Sequence, residues 1–313
     1  MKGLELSKEY FLNCAKTQLE KDFGEVIKRV AVGLCGEGSE CFGFDDEVSI
    51  DHDFEPGFCV WLTDEDYDKF GFKLERWYAK LPKEYKGFRR QTLSPVGGNR
   101  HGIMRISDFY TRFLGAPSAP NNYNHWLALE PCLLASAVNG EVFLDNLGRF
   151  SFIREQILKG YPEDVRLKKI SAHLAYMAQS GLYNYTRCIK HGEQGGARLA
   201  VYEFVKNAIS VIYLLNNKYQ PFYKWAFRGI RESKKLFKLE KPLITLMQTK
   251  DSDENFSLIT GIIENVCADI TEELLSQGLV ETNCIELEKV AYNVQNKIKD
   301  ANLRNMHVMS GVN

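Results

Sequence analysis

The 313-residue chain contains no Cys-x-x-Cys pair, no internal repeat and no low-complexity segment. Its eight cysteines are scattered, and apolar neighbours around several of them predict buried free thiols. No window approaches the roughly 20 continuous apolar residues that a membrane helix needs. The first ten residues, MKGLELSKEY, lack the apolar stretch of a signal peptide. Together these absences predict a reduced, cytoplasmic protein that has no membrane partner.

The chain also lacks an excess of either charge, because 40 Lys and Arg face 41 Asp and Glu and the formal net charge is −1. This balance provides no global electrostatic attraction to nucleic acid or to an anionic membrane, so nucleic acid is not an expected partner. With 44% apolar and 26% charged residues, the composition is not typical of a disordered or fibrous protein. The length allows two domains or one large one, with a substantial core.

The hydrophobic periodicity changes near residue 160. Before that point strand patterns and helix patterns are mixed. The predicted strands cover residues 27–34, 50–62, 102–106 and 140–145, and the predicted helices cover residues 4–22 and 64–80. After residue 160 apolar residues recur at helical spacing, and a glycine-rich loop is predicted over 181–197. We therefore predict an α+β protein, with a small mixed sheet and flanking helices over 1–160 and an all-α helical bundle domain over 161–313.

The most informative segment runs from Gly33 to Asp53 and reads GLCGEGSECFGFDDEVSIDHD. A turn at Gly38 and Ser39 lets backbone N–H groups and a hydroxyl approach phosphate oxygens closely. Asp51 and Asp53 are two residues apart on a predicted strand, so they point to the same side and can share a divalent cation. The segment predicts a site for phosphates and a hard metal ion. The alternative that Asp45-Asp46-Glu47 is only a solvated loop stays open.

This segment resembles the signature of the polymerase β-like nucleotidyltransferases, in which a Gly-Ser turn follows a strand and two carboxylates lie one residue apart on the next strand. The domain order is similar to that of the two-domain aminoglycoside nucleotidyltransferase type. More narrowly, the motifs GSE, FDDE and DHD in this order resemble an uncharacterised bacterial family. Further segments similar to that family are spread over nearly the whole chain. They lie at 126–127, 140–143, 161–164, 183–185, 223–225 and 303–307.

The resemblance implies an enzyme that transfers a nucleoside monophosphate from a nucleoside triphosphate to an acceptor hydroxyl, most simply that of a small molecule. It implies Asp51 and Asp53 as catalytic ligands of Mg²⁺ (or Mn²⁺), and Gly38 and Ser39 as contacts to the phosphates. Two such metal ions polarise the α-phosphate and hold both the attacking and the leaving oxygen. The acceptor, the preferred base and the oligomeric state, including a homodimer, stay open.

A third carboxylate, which the resemblance also implies, is harder to find. The predicted strand 102–106 reads GIMRI and contains no acid. Asp145 follows another predicted strand and is the candidate third catalytic acid, although Asp145-Asn146-Leu147-Gly148 also fits a simple turn. The lack of a clear third acid motivates an alternative function: a catalytically weak or inactive protein that keeps the fold and binds a nucleotide or a partner.

Two polar-aromatic clusters lie in the predicted helical domain. Arg187 follows Tyr183-Asn184-Tyr185, and Lys224 lies between Tyr223 and Trp225. Their rings could flank a base, and Arg187 and Lys224 are the candidates for triphosphate contacts from this domain. The alternative is that the aromatic residues are core residues whose polar tips find hydrogen bonds.

Two other kinds of metal site fit the acidic segment poorly. An EF-hand loop is excluded because, counting from Asp45 or Asp51, the sixth-position Gly and the twelfth-position Glu are both missing. A His-Asp metal phosphohydrolase site at His52-Asp53 is not favoured, because the other histidines do not show the spacing of further ligands.

Overall fold

The computed structural model describes residues 1–48, 54–90, 100–281 and 286–312. Helices alternate with one four-stranded sheet and one two-stranded hairpin, so the α+β class predicted from the sequence is confirmed. The chain forms two compact units: the first comprises Met1–Pro120 and Leu133–Lys159, and the second comprises Asn121–Cys132 and Gly160–Asn313. A functional boundary at residue 160 stays a prediction, and the segment 121–132 groups with the second unit.

Up to residue 160 the chain forms eight α-helices, one π-helical turn and six strands within the described ranges. In chain order they are α1 (Gly3–Tyr10), the π-helical turn (Phe11–Ala15), α2 (Lys16–Asp22), β1 (Ala31–Leu34), α3 (Ser39–Phe42), β2 (Cys59–Leu62), α4 (Asp64–Ala79), β3 (Glu84–Tyr85), β4 (Phe88–Arg89), β5 (Gly102–Arg105), α5 (Ile106–Leu114), α6 (Tyr123–Ala128), α7 (Pro131–Val138), β6 (Glu141–Asp145) and α8 (Arg149–Leu158).

The four-stranded sheet has the order β5-β2-β1-β6. β1 pairs antiparallel with β2 and β6, and β2 pairs parallel with β5. In the register of these pairs Leu34 lies opposite Glu141, Gly33 opposite Cys59, and Cys59 beside Gly102. The last residues of β1 and the first residues of β2, β5 and β6 therefore lie at one end of the sheet. We call this end the turn end, because the Gly-Ser turn follows β1 there.

Both faces of this sheet are covered, which explains why β1 and β2 read as continuous apolar runs rather than as alternating patterns. Val60 points to the face that packs against Phe11 and Leu74. Trp61 points to the other face and stacks on the ring of Phe150, with 4.0 Å between ring centroids. These buried contacts orient the four strands and thereby the segments at the turn end.

Two of the predicted strands are shorter in the structure. The strand predicted over 27–34 forms only over Ala31–Leu34, because residues 23–29 form a turn in which Val26 and Ile27 donate their N–H groups to the carbonyl of Phe23. Of the strand predicted over 50–62, only Cys59–Leu62 is strand among the described residues, and positions 50–53 lie outside them. The strands predicted over 102–106 and 140–145 form as Gly102–Arg105 and Glu141–Asp145.

The elements of the second unit after residue 160 are all helical within the described ranges. They are α9 (Glu163–Met177), a π-helical turn (Ala178–Asn184), α10 (Tyr185–Lys190), α11 (Gln194–Leu215), α12 (Tyr223–Arg231), a 3₁₀ turn (Phe237–Leu239), α13 (Glu240–Gln248), a 3₁₀ turn (Asp253–Asn255), α14 (Phe256–Ser276), α15 (Leu287–Asn296) and α16 (Ala301–Arg304). None of the described helices is both long and apolar enough to cross a membrane.

The glycine-rich loop predicted over 181–197 is wrong, since helical turns occupy most of this range. The glycine at 181 serves close packing instead. A Cβ there would overlap the ring of Phe204 and lie 3.0 Å from Cγ2 of Ile263, so only a residue without a side chain fits. Sequence patterns read glycines as loop markers, whereas this one allows a helix to approach its neighbours.

Helix α9 buries three ionisable side chains. Lys168 is fully buried, and its Nζ donates to Oε1 of Gln295 and to the carbonyl oxygens of His307 and Val308 at 2.8–3.0 Å. Burial lowers the pKa of Lys168 to about 8. Lys169 and His173 are also buried, one turn apart on the same face of the helix.

The stability of the protein is expected to depend on pH through His173. Burial lowers the pKa of His173 from 6.5 to about 4, so between these values only the unfolded chain binds the proton. The unfolding free energy therefore falls as the pH is lowered through this window. Between pH 7.5 and 5 we expect a loss of about 2 kcal/mol from this group. Urea denaturation at the two pH values measures the loss.

The matched variant is His173→Asn, whose Nδ2 can keep the hydrogen bond that Nδ1 of His173 makes with Oδ1 of Asn207. Carboxylates that titrate in the same range contribute equally to both proteins, so the difference between them isolates the histidine. The variant should lose about 2 kcal/mol less than the parent protein. Equal losses would contradict the prediction.

Candidate functional site

The Gly-Ser turn lies directly after β1, and its backbone requires glycine. Gly36 and Gly38 have φ values of +119° and +125°, which L-residues with a side chain rarely adopt. A Cβ at Gly38 would also lie 2.6 Å from Cδ of Glu40, whose carboxyl group folds back over the turn. Ser39 then begins the four-residue helix α3. The structure thus brings Gly38 and Ser39 together at the turn end of the sheet.

The turn is held in place by the segment that leads into β6. The side-chain amide of Asn139 accepts a hydrogen bond from the N–H of Gly36 at 2.8 Å and donates one to the carbonyl of Gly36 at 2.6 Å. Arg154 in turn donates to the carbonyl oxygens of Asn139 at 2.8 Å and Gly140 at 3.2 Å. Asn139 and Gly36 are 103 positions apart, so no local sequence pattern reveals this pairing.

Replacing Asn139 by alanine is expected to lower the unfolding free energy by about 2 kcal/mol, because two partly buried backbone groups lose their partner. Chemical denaturation measures the change. Asn146→Ala is the matched control, since Asn146 makes only a long hydrogen bond of 3.4 Å to the carbonyl of Ile27. We expect the control to cost less than about 0.5 kcal/mol. Similar losses in the two variants would show that the Asn139 pairing does not stabilise the turn.

Two buried carboxyl groups lie near the turn. Burial raises the pKa of Glu40, and the positive charges of His101 and Arg100 partly oppose this rise. Asp45 is 3% exposed, and its Oδ2 accepts a hydrogen bond of 2.8 Å from the backbone N–H of Gly3. The solvated-loop interpretation of Asp45-Asp46-Glu47 is therefore wrong for Asp45, which ties the segment to the start of α1. Asp46 and Glu47 are exposed, as that interpretation expects.

A histidine and a glutamate are in contact at the same end of the sheet, in the segments that lead into β2 and β5. Nδ1 of His101 is 3.0 Å from Oε1 of Glu55. The imidazole ring packs so closely on Gly57 that a Cβ there would lie 2.8 Å from Cγ of His101. The turn end thus combines the glycine turn and the Ser39 hydroxyl with several carboxyl groups and with the basic residues Arg100 and His101.

The two predicted metal ligands, Asp51 and Asp53, lie outside the described residues. Phe54, the next residue that the structure describes, is buried. A Cβ at Gly3 would lie 3.1 Å from the ring of Phe54 and 2.6 Å from Cβ of Glu40, so both residues pack on the same point of α1. Within the described ranges no group of three or more His, Cys, Asp or Glu could hold a metal ion. The metal site stays a prediction.

The candidate third acid, Asp145, does not lie near the turn. It pairs with Ala31 at the opposite end of β1, and its Oδ2 accepts a hydrogen bond of 2.8 Å from the N–H of Ser151 in the first turn of α8. Glu141, at the other end of the same strand, lies opposite Leu34 at the turn end and forms an ion pair with Lys8. The sequence analysis missed Glu141 because the register of β6 against β1 is not visible in the sequence.

Arg187 and Lys224, the candidates for triphosphate contacts, both lie in the second unit. The guanidinium of Arg187 is 6.0 Å from the ring centroid of Tyr183, and Nζ of Lys224 is 4.4 Å from that of Trp225. Tyr183 is 63% exposed, so the alternative that it is a core residue is wrong. Nucleotide binding by Arg187 and Lys224 stays a prediction.

With this geometry described, the chain was compared with known proteins. A family model described as a domain of unknown function, DUF4037, matches residues 126–226. No curated protein and no solved structure matches the chain. The DUF4037 match includes Asp145, Arg187 and Lys224 but begins well after the Gly-Ser turn. It therefore does not bear on the turn or on the two aspartates that follow it.

Proposed function

We propose that the protein is a metal-dependent nucleotidyltransferase that transfers a nucleoside monophosphate from a nucleoside triphosphate to an acceptor hydroxyl, and that its first unit has the nucleotidyltransferase-type fold. The chemistry needs an acidic pair that holds divalent cations close to a turn that binds phosphates. The turn after β1 and the antiparallel return of β2 support this arrangement, because the segment leading into β2 reaches the sheet at the turn end.

The observation that carries the proposal is the packing of Phe54 and Glu40 on Gly3. Phe54 directly follows Asp53 in the sequence, and Glu40 directly follows Ser39. Glu40, which follows the Gly-Ser turn, and Phe54, which follows the predicted acidic pair, are therefore neighbours in space. This supports a site in which Asp51 and Asp53 hold Mg²⁺ or Mn²⁺ beside phosphates bound at Gly38 and Ser39.

We further propose Glu141, in place of Asp145, as the third carboxylate of this site. The side chain faces α1, as its ion pair with Lys8 shows, and α1 also packs against Glu40 through Gly3. A carboxylate on the strand next to β1 at the turn end can complete a cation site or accept the proton of the acceptor hydroxyl.

The test is to incubate the full chain with each labelled nucleoside triphosphate, Mg²⁺ or Mn²⁺, and a panel of hydroxyl-bearing small molecules. Release of pyrophosphate with transfer of label to an acceptor, or to the protein itself, is the expected result. Omission of the divalent cation serves as the control, because the proposed chemistry depends on it. Absence of both metal-dependent binding and transfer would overturn the proposal.

A second candidate function is a nucleotide-binding or partner-binding protein without turnover. The position of Asp145 at the far end of β1 favours it, since the acid predicted to complete the site is not at the turn. The same assay separates the two candidates. Tight, metal-dependent binding of a triphosphate without release of pyrophosphate would identify a sensor rather than an enzyme.

A further inference from the structure

The second unit contains a cavity of about 220 Å³. Almost all of its lining residues fall within the range that matches DUF4037. Its walls combine aromatic rings with polar and charged side chains. The polar and charged lining residues include Glu130, Lys169, His173, Lys206, Ser210 and Gln220.

Lys169 is the buried cation of this cavity. It is 3% exposed, and its Nζ donates only to the carbonyl oxygens of Leu127 and Gly311, each at 3.3 Å. No carboxylate in the described part of the chain lies within ion-pair distance of it. Its neighbour Lys168 has three acceptors at 2.8–3.0 Å and does not line the cavity. A buried ammonium without a counter-charge is costly, which is consistent with an anion pairing with Lys169.

His173 also lines this cavity, and its hydrogen bond to Asn207 defines which ring nitrogen can accept. Nδ2 of Asn207 donates to Glu203, so Oδ1 of Asn207 faces Nδ1 of His173 at 2.7 Å. Nδ1 is therefore the protonated nitrogen and Nε2 carries the free lone pair. Burial lowers the pKa of this imidazole to about 4, which keeps it neutral. A ligand that pairs with Lys169 can thus also donate a hydroxyl hydrogen to His173.

A second, independent observation is the hydroxyl of Tyr161. The side chain is 7% exposed and its OH has no hydrogen-bond partner among the described residues. Tyr161 lines a space of about 10 Å³, the size of one water molecule, that shares Lys169, His173 and Ser210 with the larger cavity. Nζ of Lys169 lies 5.5 Å from the ring centroid of Tyr161. The small space beside the cavity thus contains a buried hydroxyl without a partner among the described residues.

The charge of the lining favours a ligand with a single negative charge. Lys206 is loosely paired with Glu203 at 3.8 Å, and Glu130 contributes a carboxylate to the wall. Lys169 is therefore a lining cation that has no ion-pair partner among the described residues. A triphosphate or another polyanion would be repelled by Glu130 and would exceed the positive charge available.

We propose that this cavity binds a small hydroxy-monocarboxylate, whose carboxylate pairs with Lys169 and whose hydroxyl donates to Nε2 of His173. The cavity of about 220 Å³ has room for a small hydroxy acid such as glycerate or lactate. The ligand class follows from one unpaired buried cation beside one neutral acceptor. This proposal does not depend on the nucleotide chemistry proposed for the first unit.

The experiment measures thermal unfolding of the full chain with hydroxy-monocarboxylates of three to six carbons at 20 mM. Propionate, which lacks the hydroxyl, glycerol, which lacks the charge, and inorganic phosphate serve as comparators. We expect a rise of about 3 °C with at least one hydroxy acid and a clearly smaller rise with each comparator. No rise with any hydroxy acid, or a larger rise with phosphate, would overturn the proposal.

The matched variants are Lys169→Met and Lys168→Met, which remove neighbouring buried ammonium groups from the same helix. The first should abolish the ligand-induced rise, and the second should keep it although it loses three hydrogen bonds. If either variant does not fold, Lys169→Gln and Lys168→Gln carry the same comparison. A rise that survives loss of Lys169, or one that both variants abolish, would show that Lys169 does not hold the carboxylate.

Discussion

The double variant Asp51→Asn with Asp53→Asn is expected to reduce nucleotidyl transfer by about a thousandfold or more and to abolish Mg²⁺-dependent triphosphate binding. Asparagine keeps the size of aspartate but removes the negative charges that we propose to hold divalent cations next to the phosphates. Without the cations, the charge that develops as pyrophosphate leaves is not neutralised. Calorimetry of triphosphate binding and a pyrophosphate-release assay measure the two effects.

The control for this variant is Asp46→Asn with Glu47→Gln, which removes the same charge from exposed positions of the same acidic segment. If the general charge of the segment mattered, both double variants would lose activity equally. We expect the control to bind and turn over triphosphate like the parent protein. Full activity in the Asp51 and Asp53 variant, with its fold intact by circular dichroism, would contradict the proposed metal site.

Gly140→Ala is expected to destabilise the first unit severely, by about 4 kcal/mol or more. Gly140 has φ of +66°, and a Cβ there would overlap the carbonyl oxygen of Leu34 and lie 3.0 Å from Cα of Cys35. The clash is with backbone at the end of β1, which cannot move without breaking the pairing of β1 with β6. Urea denaturation measures the loss, and failure of the variant to fold would fit the same cause.

Gly148→Ala separates the steric effect from the backbone effect. Gly148 has nearly the same φ, +68°, but nothing lies within 4 Å of the position where a Cβ would stand. This variant should lose only the cost of a left-handed backbone conformation, about 1 kcal/mol. Comparable losses at Gly140 and Gly148 would show that contact with Leu34 does not limit residue 140. If both variants lost little unfolding free energy, the position before β6 would not require glycine.

Much of the fold could be predicted because helical periodicity is local. The helix predicted over 64–80 forms as Asp64–Ala79, with Thr63 accepting a hydrogen bond from Asp66 at its start. Strand lengths were less predictable, because an apolar run such as 27–34 does not reveal where pairing begins. The glycines of 181–197 misled for a related reason, since a glycine needed for close helix packing looks the same in sequence as one in a loop.

The candidate site divides in a similar way. Gly38 and Ser39 could be recognised because a sharp turn after a strand needs small residues in a short stretch of chain. The support from Asn139 and the position of Glu141 could not, because each depends on which strand lies beside β1 and in which register. Asp145 was chosen by its chemistry, and the same register puts it at the wrong end of β1.

For this protein, composition and local spacing define the α+β class, the apolar strands and the Gly-Ser turn, because each depends on residues that are close in the chain. Other features arise from contacts between residues that are distant in the chain. They are the pairing of Asn139 with Gly36, the position of Glu141 rather than Asp145 at the turn end, and the burial of Lys169 without an ion-pair partner among the described residues. Such contacts follow from strand register and from helix packing. Both minimise free energy over the whole chain, and no short segment contains that information.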